Sequence, residues 1–109
     1  MYSEKDLQLV EQLTEATNSG RITWEPTATL DEFTTSFRGK YSVIVANQGS
    51  LYSFRMLDDA GREMLKEEYD SGLEFNRQGD LIRRLFELAR RTALRVDRAV
   101  DEILHELQV

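Results

Sequence analysis

Hydrophobic positions recur at helical spacing at both ends of the chain, and they alternate with polar positions in the middle. Near the N-terminus, Leu9, Leu13 and Ala16 lie three to four residues apart. Ser3 precedes them with a hydroxyl that can cap a helix, and a polar run ending at Gly20 follows them. We therefore predict a short amphipathic helix between Ser3 and this polar run.

The period then changes to two, which predicts antiparallel strands. A first strand is expected over residues 22–26, and Pro26 ends it because proline has no N–H to donate. Residues 33–37 and 41–45 alternate in the same way around Gly39, which allows a tight reversal. This pair of segments is predicted to be a β-hairpin.

Another polar turn leads to alternation over residues 51–57, and this predicts a further strand. The segment 62–69 fits either an edge strand or a short helix, and we favour the strand. The pattern predicts one α+β domain spanning residues 1–109. It has a short N-terminal helix, a four- or five-stranded antiparallel meander sheet and a long C-terminal helix packed on one face.

The longest helical pattern runs from Asp80, its expected N-cap, to Val109. One stripe of this helix should lie across the sheet, and it contains Ile82, Phe86, Ala89, Ala93, Val96, Val100, Ile103 and Leu107. A flank with three more leucines makes the apolar arc wider than the ~100° that covers one core. The flank therefore needs a second contact, either with the N-terminal helix through Leu9 and Leu13 or with another chain.

Charge along this helix opposes the helix dipole, since arginines crowd its N-terminal half and acidic residues its C-terminal half. Two copies crossing antiparallel near Arg95 would place Arg84 of one beside Glu106 of the other. This arrangement predicts a homodimer, although a different protein partner would use the same flank. The predicted interaction surface consists of Leu81, Arg84, Leu85, Leu88, Thr92, Arg95, Ala99, Glu102 and Glu106.

Bulk composition narrows the classes of function. The 109-residue chain contains no cysteine, which excludes disulfides, thiolate zinc sites and cysteine nucleophiles. Its 14 basic and 20 acidic residues give a net charge of −6, which disfavours nucleic acid as a partner. It has no apolar run long enough to span a bilayer and no leader-like start, so we expect a cytoplasmic protein without a membrane partner.

Candidate chemistry is sparse. His105 is the one histidine, and nothing near it in sequence supplies a partner for catalysis or metal binding. The acidic stretch around Gly61 fails as a calcium loop because Met56 and Ala60 would occupy ligand positions. Asp58 and Asp59 are adjacent, which points their carboxylates in different directions on an extended chain. We expect no catalytic residue, no metal ligand and no cofactor.

Three segments carry a resemblance to a known group of proteins. They are ITWEPT at residues 22–27, EFTTSFRGKYSV at 32–43 and LFELARRTALRVDRAVDEIL at 85–104. In these segments the chain resembles a family of small uncharacterised bacterial proteins and domains. The resemblance implies a shared fold and a bacterial origin. That family has no assigned activity, so no catalytic residue is carried over.

The functional expectation is a protein-interaction module without catalytic activity that self-associates through its C-terminal helix. The alternative is a small-ligand-binding or hydrolytic protein. Its site would lie between the sheet and that helix, around Trp24, Tyr41 and Tyr52.

Overall fold

The computed structural model describes residues 3–108. Its elements in chain order are helix α1 (Glu4–Asn18), strands β1 (Glu25–Pro26), β2 (Glu32–Phe37), β3 (Tyr41–Gln48), β4 (Leu51–Leu57) and β5 (Glu63–Asp70), and helices α2 (Arg77–Ala93) and α3 (Val96–Leu107). The five strands form one sheet in the order β1-β2-β3-β4-β5, and each is antiparallel to its neighbour. The α+β class and the meander are confirmed.

Local chemistry explains the predicted ends and turns. The Ser3 hydroxyl accepts a hydrogen bond from the Asp6 backbone N–H at 3.1 Å, which caps α1 as expected. Between β2 and β3, Arg38 and Gly39 both have positive φ, at 57° and 62°. Such a pair of residues makes a turn whose twist matches the hairpin. The ambiguous segment 62–69 is a strand as favoured, since residues 63–69 belong to β5.

The first strand is shorter than predicted and lies further along the chain. It contains two residues, and Pro26 is inside it, paired with Phe33. Trp24 instead turns into the core, where its Nε1–H donates to Thr17 Oγ1 at 2.9 Å. This side-chain hydrogen bond directs the chain to the end of α1 rather than into the ladder.

The core lies between one face of the sheet and the helices α1 and α2. Its buried residues are Val10, Leu13, Trp24, Phe33, Val43, Val45, Phe54, Ile82, Leu85, Phe86 and Ala89. The Phe86 ring lies 5.7 Å from the Phe33 centroid and 5.5 Å from that of Tyr52. Full burial of each large apolar side chain contributes about 1.5–3 kcal/mol. This core holds α2 on the sheet and α1 against α2.

Helix α2 starts earlier than predicted, and its cap is not Asp80. The Asn76 side-chain oxygen accepts from the N–H groups of Gln78 at 2.9 Å and Gly79 at 3.0 Å, so the helix begins at Arg77. Asp80 lies in the first turn and accepts from Arg83 Nε at 2.6 Å. This hydrogen bond holds the pKa of Asp80 below its usual value.

The single C-terminal helix was a wrong prediction, because the chain breaks it in two between Ala93 and Val96. Arg95 takes a left-handed conformation at the break, with φ of 53°. An ion pair of 2.6 Å between Arg91 and Asp97 spans the junction. The predicted apolar stripe is buried on α2, half-buried at Ala93 and Val96, and exposed further along. The predicted end at Val109 lies outside the described residues.

Candidate protein-interaction surface on the C-terminal helices

Helix α3 has an apolar face that the described chain leaves uncovered. Val100 is 42% exposed, Ile103 60%, Leu104 47% and Leu107 76%, and no residue of α3 is buried. These four side chains recur at intervals of one, three and four residues, so they share one side of the helix. We call Val100, Ile103, Leu104 and Leu107 the docking face.

The rest of the described structure holds α3 only at its start. Within residues 3–108, α3 contacts α2 and no other element. Val96 is half-buried at the end of a groove beside α2, and Asp97 pairs with Arg91. The helix is about 18 Å long at 1.5 Å per residue. Most of its length therefore projects from the sheet and its two covering helices.

A groove of about 680 Å³ runs between α1 and α2 on the side away from the sheet. Leu81 and Leu88 of α2 line it and are half-buried, and Arg84 lies exposed beside them. Glu11 and Glu15 stand on the α1 wall. A second depression shares Leu88 with the groove and extends it toward the break in the C-terminal helix. We call this combined surface the α1–α2 groove.

The structure divides the predicted interaction surface into three parts. Leu85 is fully buried in the core, so the chain itself covers this part of the flank. Leu81, Arg84 and Leu88 line the first part of the groove, whereas Thr92 and Arg95 line its extension. The remaining predicted residues, Ala99, Glu102 and Glu106, are exposed on α3.

The exposed docking face was missed because three of its residues had been assigned to the stripe that covers the sheet. Helix length is the sequence signal that separates the residues over the sheet from the residues of the docking face. A helix of about 30 residues would be about 45 Å long. The longest strands here have 8 residues, and a strand of that length spans about 27 Å. The C-terminal part of so long a helix must extend beyond the sheet.

The two C-terminal helices carry opposite charge. Helix α2 has five arginines and two acidic residues, and α3 has one arginine and four acidic residues. Arg83 is already held by Asp80 and Glu87, and Arg91 by Asp97. Arg84 forms no salt bridge with any residue of the described range 3–108. Its charge acts on Asp80, whose pKa it helps to lower, without a direct ion pair.

The predicted alternative ligand site, between the sheet and the C-terminal helix, is filled by side chains. Trp24 is buried and bonded to Thr17, and Tyr52 packs edge-on against Phe86. Tyr41 lies at the start of β3 with Lys40 Nζ 5.6 Å from its ring centre. Apolar residues occupy the space between the sheet and α2. The packing therefore gives the ligand-binding alternative no supporting observation.

The remaining candidate residues have local structural roles or lie in solvent. Asp58 closes the β4–β5 turn, where hydrogen bonds led by the Arg62 backbone N–H lower its pKa. His105 is exposed on α3. No group of three acidic or histidine side chains among residues 3–108 is arranged to hold a metal ion. Nor does this part of the chain contain a helix with the length and apolar character needed to cross a membrane.

Comparisons with protein-family models, with curated protein sequences and with solved structures found no match to this chain.

Proposed function

We propose that this protein is a protein-interaction module that self-associates through the docking face of α3. The observation that carries the proposal is the contrast between the apolar pattern of α3 and its lack of any buried residue. A contiguous apolar patch of this kind is typical of a binding surface. Its mechanism is burial of the docking face, with surrounding charges setting the orientation of the partner.

Helix stability supports a covered state for α3. Isolated helices of fewer than about 12–15 residues are marginal in water, and α3 has 12 residues. Its one internal ion pair, between Arg98 and Glu102 at 3.4 Å, joins two exposed side chains. Such a pair contributes only about 0.3–0.5 kcal/mol. A partner that covers the docking face would supply the packing that most helices obtain from their own domain.

The size of the docking face limits the affinity of one contact. Complete burial of a large apolar side chain contributes about 1.5–3 kcal/mol. Association costs roughly 4–15 kcal/mol in translational and rotational freedom. Four such side chains contribute at most about 6–12 kcal/mol, which is comparable with the cost of association, so one helix of this size binds weakly alone. A stable complex needs a contact that is repeated or extended.

Light scattering during size-exclusion chromatography tests the proposal across protein concentrations from about 1 to 200 μM. We expect the wild-type chain to shift from monomer to dimer, and Ile103→Asp to remain monomeric with an unchanged monomer fold by circular dichroism. Met64→Asp is the matched control, because Met64 is 53% exposed on β5, away from α3. This control should dimerise as the wild type does.

Two results would contradict self-association through α3. The first is a wild-type chain that stays monomeric over the whole range. The second is a dimer that Met64→Asp disrupts and Ile103→Asp does not.

A further inference from the structure

We infer that α3 of each copy docks in the α1–α2 groove of a second copy, so that two chains exchange their C-terminal helices. The inference rests on the proposed function and names the surface that receives the docking face. In this dimer the two α3 helices do not contact each other. Each α3 instead contacts the α1–α2 groove of the other chain, which gives two helix–groove contacts.

The groove has the character needed to receive an apolar helix. Leu81 and Leu88 are half-buried at its base and keep accessible surface. Its extension continues along Thr92 and Arg95 to the start of α3. The groove therefore follows α2 over several turns, and α3 is of similar length. Of the described residues of α3, Val96 and the first-turn residues Asp97 and Arg98 line this surface, whereas the docking face does not.

Charge disfavours direct pairing of two α3 helices. Four acidic residues and one arginine on each helix would bring two negatively charged elements together. Asp101 and Glu106 stand on opposite sides of the docking face at 100° per residue, so both borders of the face are acidic. Helix α2 has the opposite charge, and exposed Arg84 lies beside Leu81 and Leu88. We therefore place Glu106 of one copy next to Arg84 of the other.

An antiparallel arrangement also compensates the helix dipoles. Glu106 lies in the last turn of α3, where the helix dipole disfavours a negative charge, and Arg84 of the partner's α2 supplies a compensating positive charge. An α3 helix antiparallel to the partner's α2 brings these two charges together. The acidic Glu11 and Glu15 on the α1 wall disfavour Glu106 there, so the border that carries Glu106 faces α2 and the border that carries Asp101 faces α1.

Two-fold symmetry makes the contact occur twice. Arg84 and Glu106 are equally distant in sequence from Arg95, so an axis near the break relates both pairs. Stable interfaces bury about 1,600 Å² in total. One 18 Å helix in a groove buries part of this area. The exchange doubles the buried area because it forms two such contacts. Exchange therefore supplies the repeated contact that a weak single helix requires.

Engineered cysteines test which surfaces meet, and the chain has no native cysteine to interfere. The variants are Leu88→Cys in the groove, Ile103→Cys on the docking face and Met64→Cys as the control. We would mix an isotope-labelled Ile103→Cys chain with an unlabelled Leu88→Cys chain at equal concentration under mild oxidation. Mass spectrometry of the disulfide-linked products identifies the joined positions.

Exchange predicts that the mixed Leu88–Ile103 product exceeds the Ile103–Ile103 product at least fivefold, and that Met64→Cys gives neither. Dominant Ile103–Ile103 links in a chain that dimerises by light scattering would overturn the exchange and leave the proposed function intact. A monomer by light scattering and no cross-links at any position would overturn both.

Charge reversal provides a second test that does not alter buried side chains, because Arg84 and Glu106 are both exposed. Arg84→Glu and Glu106→Arg should each weaken dimerisation by about tenfold, since each breaks two symmetric pairs of modest strength. The double variant restores both pairs with their charges reversed and should recover most of the wild-type affinity. A double variant no tighter than the single variants would contradict the assigned pair.

Discussion

Helices α2 and α3 follow one another after a two-residue break, and both have a marked apolar face, yet they differ in what covers that face. Helix α2 places Ile82, Leu85 and Phe86 in the core, whereas α3 buries no residue. Apolar periodicity therefore predicts that a face will be covered but not by what. The position of the sheet decides that α2 packs within its own chain, whereas the described residues leave the apolar face of α3 uncovered.

The largest expected difference between these helices is in the free energy of unfolding. Leu85→Ala should lower it by about 2–5 kcal/mol, because it opens a cavity in the core where Leu85 has no exposed surface. Ile103→Ala should change it by less than about 0.5 kcal/mol in the monomer. Urea denaturation at a protein concentration too low for dimerisation measures the free energy of unfolding of both variants. Similar losses would remove the distinction between the covered and the uncovered helix.

A smaller loss in the free energy of unfolding is expected for a substitution at the junction of α1 with the core. The Thr17 hydroxyl accepts from Trp24 Nε1 at 2.9 Å and donates to the Leu13 carbonyl at 2.7 Å. Thr17→Val leaves the buried indole N–H without this acceptor and should cost about 1–3 kcal/mol. The matched control is Thr14→Val, because the Thr14 hydroxyl donates to the Val10 carbonyl and is only partly buried.

Tryptophan fluorescence during urea denaturation follows both threonine variants. Thr14→Val should lose less stability than Thr17→Val. Equal losses would mean that the Trp24 hydrogen bond does not hold α1, and with it one wall of the groove, in place.

The break between the two helices should tolerate glycine better than a branched residue. Arg95 has φ of 53°, a conformation that costs an L-residue roughly 1–2 kcal/mol relative to glycine. Arg95→Gly should therefore leave the free energy of unfolding unchanged or raise it by up to about 1 kcal/mol. Arg95→Val should lower the free energy of unfolding. Greater stability and helicity in Arg95→Val would indicate a continuous helix in place of the break.

The smallest effect concerns pH at the start of α2. The Arg83 hydrogen bond lowers the pKa of Asp80 in the folded state, so Asp80 stabilises the fold above its ordinary pKa of 3.8. This contribution is lost as pH falls through the lower folded pKa. Asp80→Asn should therefore be less stable than the wild type at pH 7, and the difference should shrink toward pH 2. Thermal melts across this range measure it, and a constant difference would contradict this role.

Sequence patterns predicted the elements that local chemistry specifies. The cap at Ser3 and the turn at Gly39 follow from short-range rules, and so does the strand alternation. The burial of Trp24 does not follow from short-range rules, because this burial depends on a hydrogen bond to Thr17 in helix α1. The break at Arg95 was missed because residues 92–97 contain neither glycine nor proline.

For the candidate surface, the sequence predicted a location on the C-terminal helical segment and the order of charges along it. The exposed Arg84 and the acidic end at Glu106 were both apparent from the order of charges. Leu85 was placed on the surface because periodicity alone cannot show that the core of the same chain buries it. Ile103 was assigned to the core for the same reason. Which face is covered depends on tertiary packing, and the apolar pattern of one helix does not contain that information.

The most direct test compares amide hydrogen exchange of α2 and α3 in the unmodified chain at about 1 μM and 200 μM. Protection reports the free energy of local opening. We predict that α2 is protected at both concentrations, whereas α3 exchanges rapidly at the lower concentration and becomes protected at the higher one. Protection of α3 that does not change with concentration would contradict the claim that a second chain covers its docking face.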